Sequence, residues 1–202
     1  LFRSTLPVAE VFPMSLYPCF SMLPLWNLSV RHKVLGEYNV LAIFNWEDNP
    51  RDISFTTEEL GIENNVNYLL YEFWTEEFIG AANGGYTMHI PPHSVRVLTI
   101  HKIRPIPQWI SSDRHVTQIA QELKKFEWRN DNHKIVGKVQ LIGMFSLTMR
   151  IHIPGNFSFK NVECPNAKCT AKVEKGNILA LSLIAEKTGD YLIDIEFSSS
   201  DE

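Results

Sequence analysis

Cysteine is scarce in this chain. Three thiols in 202 residues are an odd number and too few for a disulfide framework. Cys164 and Cys169 stand close enough in sequence to bridge, but without histidine or further cysteine beside them they make a poor zinc site. The expectation is reduced or buried thiols in a cytoplasmic protein. A surplus of positive charge is missing as well. The formal charge is -4 and Lys and Arg are scattered, which leaves no electrostatic footprint for nucleic acid or a membrane surface. No apolar run approaches the length of a membrane span, and the N-terminus lacks the pattern of a signal peptide.

Catalytic signatures are also lacking. The seven histidines form neither H-E-x-x-H nor H-x-H, and no G-x-S-x-G turn occurs. Asn83-Gly84-Gly85 lacks the lysine end of a phosphate-binding loop and reads as a hairpin loop within a glycine-rich turn from Gly80 to Gly85. Glu58-Glu59 and Glu76-Glu77 are paired acids, but neighbours on a strand or turn point apart and cannot flank one glycosidic bond, so both pairs read as surface charge. No metal, cofactor or catalytic residue is expected.

What the sequence does have is many short extended segments. The run Tyr38 to Trp46 is almost wholly apolar or aromatic, is β-branched at Val40 and Ile43, and enters the turn Glu47-Asp48-Asn49-Pro50. It reads as a strand buried on both faces, with Val95 to Ile100 and Tyr68 to Trp74 as its natural partners. Between Asp52 and Thr57, Ile53 and Phe55 alternate with Ser54 and Thr56, a strand with one buried face. Glu58 to Gly61 predicts a single helical turn stopped by glycine. Beyond the stiff stretch Ile103 to Pro107 a second strand series follows: Lys134–Leu141, Phe145–Ile153, Phe157–Val162, Thr170–Val173, Ile178–Ile184 and Tyr191–Phe197. Ser198 to Glu202 reads as a frayed tail.

Val116, Ile119, Ala120 and Leu123 fall at helical spacing, while Thr117, Ile119 and Phe126 fit a strand, so both readings stand for the segment up to Phe126. The fold expected is all-β: an antiparallel, Greek-key-like β-sandwich over residues 25–102, then a second small β-sandwich over 108–197, with at most one short helix. Residues 1–24, rich in proline and large apolar side chains, form a connector arm packed on this domain or on another.

The most versatile polar run is Ser111-Ser112-Asp113-Arg114-His115, just after Trp109. Asp113 and Arg114 are placed to pair as ions, and Ser112 or Asp113 to cap a helix beginning at Arg114. The run is either a carbohydrate contact, with Trp109 against a sugar ring and Asp113, Arg114 and His115 around it, or a structural corner.

Several separated motifs share a resemblance. Gly36-Glu37-Tyr38-Asn39-Val40-Leu41-Ala42-Ile43-Phe44-Asn45-Trp46 resembles the start of the C-terminal β-domain of melibiase-like alpha-galactosidases and their raffinose-synthase relatives. Tyr71-Glu72-Phe73-Trp74, Ile90-Pro91-Pro92-His93-Ser94 and Pro107 to Gln118 are similar to later motifs of that family, in the same order, and Leu6-Pro7 and Pro24 to Leu28 to its connector. The family's catalytic aspartates sit on a (β/α)8 barrel that precedes this domain. The resemblance therefore implies a non-catalytic accessory region of a glycoside hydrolase, cut from its barrel, with the barrel of the parent chain or an oligomer neighbour as partner. Trp26, Trp46 and Trp74 are then candidates for packing on the barrel or interface, and a carbohydrate-binding module is the alternative. The start at Leu1 without methionine fits a fragment or processed product.

Overall fold

The computed structural model describes residues 22–118 and 121–199, together with the backbone of the two-residue strand β1 (Phe12–Pro13). Most of the expected arm, Cys19, Ile119, Ala120 and residues 200–202 lie outside the described residues. Among those described there is no helix. The chain divides into two compact units, one of residues 1–31 and 37–103, the other of residues 32–36 and 104–202.

The first unit is built on a six-stranded sheet in the order β1, β2 (Leu25–His32), β3 (Gly36–Asn45), β8 (Ser94–Lys102), β5 (Asn67–Glu72) and β6 (Glu77–Asn83). Its opposing layer is a ribbon of β4 (Arg51–Thr56) and β7 (Gly85–Ile90). The alternation of β4 does what its sequence requires: Ile53 and Phe55 point inward and join Leu41, Ile43, Leu70, Leu98 and Ile100 in one core cluster. Both faces of β3 face protein over its first half: Tyr38 and Val40 are buried on one side and Leu41 and Ile43 on the other, while Ala42 and Phe44 are partly exposed. Its neighbours differ in part from expectation. β8 does pair with β3, with Leu41 opposite Leu98, but β5 pairs with β8 and β6, and the second neighbour of β3 is β2. The tyrosine strand is thus one place further out, since antiparallel order is set by how connections close and not by hydrophobicity.

The glycine-rich turn expected over Gly80 to Gly85 shrinks to Gly84. Gly80 lies in β6 opposite Leu70 at a bulge, and the bend at Gly84 carries the chain from the large sheet to the ribbon, so no hairpin forms there. At Gly85, φ is 157° and a β-carbon would stand 2.5 Å from the Phe55 carbonyl oxygen, so only glycine lets the two strands of the ribbon approach. The single turn before Gly61 is as read from the sequence. Thr56 and Glu59 form a reciprocal cap, with the Glu59 carboxylate accepting from the Thr56 N–H at 2.8 Å and the Thr56 hydroxyl oxygen accepting from the Glu59 N–H at 3.1 Å. Gly61, at φ 68°, ends it.

The second unit stacks two four-stranded sheets. One runs β10 (Leu123–Arg129), β11 (Lys134–Leu141), β16 (Gly189–Ser199), β13 (Phe157–Glu163); the other runs β14 (Lys168–Glu174), β15 (Ile178–Ile184), β12 (Leu147–His152), β9 (Gln108–Ser112). Leu147, Met149 and Ile151 pair with Leu183, Leu181 and Leu179, and all six are fully buried. Trp109 on β9 meets Phe126 on β10 edge-on at 5.5 Å, closing the two layers on each other. Two expectations are corrected. The described residues from Val116 to Phe126 form neither a helix nor one strand, since turns cover 116–118 and 121–122 and the strand begins at Leu123. Ser198 and Ser199 are not tail but the end of β16, paired with Ser158 and Phe157. An edge strand beside them supplies the hydrogen bonds that a polar tail would otherwise take from water.

Candidate functional site

The polar run after Trp109 sits where edge strand β9 leaves the sheet, and its side chains take over as ladder partners. Asp113 donates its N–H to the Thr148 carbonyl at 3.0 Å and accepts the Thr148 N–H on its carboxylate at 2.9 Å. Arg114 donates to the carbonyls of Phe145 and Ser146 at 3.0 and 2.8 Å. The ion pair expected between these two residues is therefore replaced by two separate grips on the segment leading into β12. No helix starts at Arg114, so the expected cap is corrected too. His115 and Gln118 both take left-handed φ of 52°, which closes a turn with the Gln118 N–H on the His115 carbonyl at 2.8 Å, while the Ser112 hydroxyl donates to the Arg114 carbonyl.

Inside this corner His115 Nε2 stands 2.8 Å from Glu122 Oε1, and the Ser111 hydroxyl donates to Gln118 Oε1 at 2.5 Å. Glu122 is buried, and its second oxygen has no hydrogen-bond partner among the described residues. Burial pushes its carboxyl above the usual carboxylate range, opposed first by the nearby His115, next by its own backbone N–H, and then by Arg114 and Lys124. Trp109 is 2% exposed, so its ring packs on protein and offers no face to a sugar. Of the four expected carbohydrate contacts, Trp109 and Asp113 are spent on packing and ladder hydrogen bonds, Arg114 on carbonyls, and His115 on Glu122.

The raised Glu122 pKa has a consequence for stability. Below the ordinary carboxyl value of 4.5, folded and unfolded chains both hold the proton and burial carries no ionic penalty. As pH rises through the raised folded value, the unfolded chain has already released its proton and stability is lost. Glu122→Gln is expected to gain stability over the parent, with a difference that grows as pH is raised from 4.5 toward 7. Urea midpoints at several pH values test this, and a difference that is flat or shrinks with pH contradicts it.

The first unit shows its aromatics differently. Trp46 is 42% exposed, stacks at 4.7 Å and 4° on Phe44, and donates its indole N–H to the Leu23 carbonyl, which also accepts from Trp26. Trp74 is 59% exposed and lies edge-on to Phe73. Trp26 is half-buried. The loops bearing the exposed indoles are held by buried polar side chains that sequence reading overlooked. Asn45 donates to the carbonyls of Asn49, Ile90 and Pro91 at 2.8 to 3.0 Å and so fixes the turn after Trp46. Glu72 accepts from the Val97 N–H at 3.1 Å and from the N–H and hydroxyl of Thr75, both at 2.6 Å, with Arg96 at 3.9 Å, and so fixes the turn at Trp74. The signal available was position: a polar residue directly ahead of a turn, at the end of an otherwise apolar strand.

The acidic pairs do not converge. Glu59 is used in its cap, while Glu58, Glu76 and Glu77 are exposed. Among the described residues no group of three or more His, Cys, Asp or Glu is placed to hold a metal ion.

No curated protein matches the chain. A family model does, over residues 30–100, which run from the second half of β2 through β8 and so span the sandwich of the first unit. That match, and the motifs at Gly36–Trp46, Tyr71–Trp74 and Ile90–Ser94 that fall inside it, make residues 30–100 similar to the alpha-galactosidase C-terminal β-sandwich domain.

Proposed function

We propose that the chain is a non-catalytic accessory region of an alpha-galactosidase-like glycoside hydrolase, packing against a (β/α)8 catalytic barrel and supporting it. The family match over residues 30–100 carries this reading. The exposed indoles of Trp46 and Trp74, each on a loop pinned by a buried polar side chain, supply preorganised apolar contacts of the kind a docking face needs. This reading assigns no catalytic role to any residue of the chain.

Two measurements test the proposal. Purified chain incubated with a nitrophenyl alpha-galactoside is expected to release no nitrophenol, and turnover would remove the accessory role. Sequencing the gene upstream of the codon for Leu1 is expected to reveal a barrel, and a stop codon or an unrelated domain there would remove the docking role. The second reading, a carbohydrate-binding module, is favoured by the same two indoles, and Trp fluorescence unchanged at millimolar melibiose eliminates it.

A further inference from the structure

The second unit carries a groove of about 750 Å³, within the size range of small-molecule sites. One wall is the turn Ile142 to Phe145, fastened to the strand end opposite by the Met144 N–H on the Ala185 carbonyl at 2.8 Å and the Gly143 N–H on the Thr188 hydroxyl at 2.9 Å. The backbones meet so closely that a β-carbon on Gly143 would stand 2.8 Å from the Glu186 carbonyl oxygen. The other wall is the turn Cys164 to Ala167, closed by the Ala167 N–H on the Cys164 carbonyl at 3.2 Å. Lys168 opposite Ile184 in the β14–β15 ladder joins the two. Hydrogen bonds therefore hold both turns.

Its chemistry is two-sided. Met144, Ile184, Ala185 and Pro165 give an apolar lining, and Tyr191 is fixed by its hydroxyl on the Lys187 carbonyl at 2.7 Å. Met144 is 71% exposed at a left-handed φ of 66°, so the lining includes a large apolar side chain presented to solvent. Phe145 beside it is 65% exposed. The charged groups on the lining are Lys168, Lys187 and Glu186, a local excess of one positive charge on a chain whose formal charge is -4.

We infer that this groove binds a small organic anion with an apolar body, of the class of a medium-chain carboxylate, with the chain along Met144 and Ile184 and the anionic head between Lys168 and Lys187. The complementarity of charge selects an anion over a neutral amphiphile, and the volume suits a small molecule better than a protein face. The inference is independent of the accessory role proposed for the first unit.

The test uses the full chain and the fluorescent sulfonate 1-anilinonaphthalene-8-sulfonate. Saturable enhancement is expected, with octanoate displacing the probe at least ten-fold more effectively than octanol. Met144→Asp and the double variant Lys168→Glu, Lys187→Glu alter exposed side chains and are expected to keep the parent's thermal midpoint while weakening probe binding ten-fold or more. Absence of a saturable signal, equal displacement by octanol, or undiminished binding in both variants overturns the inference. Self-association in sedimentation that Met144→Asp abolishes would assign the groove to a second copy of the chain, and overturns it equally.

Discussion

Trp109→Ala is expected to destabilise the second unit by about 3–5 kcal/mol, the usual cost of deleting a fully buried large aromatic. The indole fills space between the two sheets and contacts Phe126 edge-on, a geometry worth about 0.5–1.5 kcal/mol beyond the area it buries. Trp109→Phe keeps an aromatic ring and is expected to lose less. Far-UV circular dichroism in urea measures both, and a loss below about 1 kcal/mol for the alanine variant would contradict a core position. The same experiment bears on the carbohydrate reading of the polar run, since a ligand platform at Trp109 predicts lost sugar binding with little lost stability.

Glu72→Ala is expected to cost about 3–5 kcal/mol in the first unit, the range seen when one partner of a buried, hydrogen-bonded charge is removed. The carboxylate is 1% exposed and its deletion strands the Val97 N–H, the Thr75 N–H and the Arg96 side chain. Glu72→Gln keeps the shape but faces two donors at one position with an amide that can accept at only one oxygen, so an intermediate loss is expected. Urea midpoints should fall in the order parent, glutamine, alanine. A glutamine variant equal to the parent would show that the charge contributes nothing. The turn that Glu72 organises presents Trp74, so its loss should also loosen the exposed indole, visible as a red shift and a narrower polarisation of Trp fluorescence at constant fold.

Local periodicity was legible along most of the chain. Ile53 and Phe55 alternate with polar residues and fold as a half-buried strand; the apolar run at Tyr38 folds as a strand buried on both sides over its first half; the capped turn before Gly61 follows from four residues. Failures occur where two distant segments decide the outcome. Tyr68 to Glu72 looked like a neighbour of β3 because both are apolar, yet β8 stands between them. Ser198 and Ser199 looked like tail because serine has no apolar signal, yet Phe157 and Ser158 offer them a ladder. Asp113 and Arg114 looked like a pair because they are adjacent, but adjacent side chains point apart, and each found backbone partners more than thirty residues away.

The sequence by itself determined the extended runs at Tyr38 to Asn45, Asp52 to Thr56 and Val95 to Ile100, the capped turn before Gly61, and the likeness of residues 30–100 to a known β-sandwich family, since period-two alternation and turn chemistry act within a few residues. Only the tertiary structure decided strand order, the enclosure of Trp109 against the exposure of Trp46 and Trp74, the buried settings of Glu72 and Glu122, and the groove beneath Met144. Each of these depends on which surfaces meet after long loops close, and side-chain type at one position carries no information about what will stand opposite it.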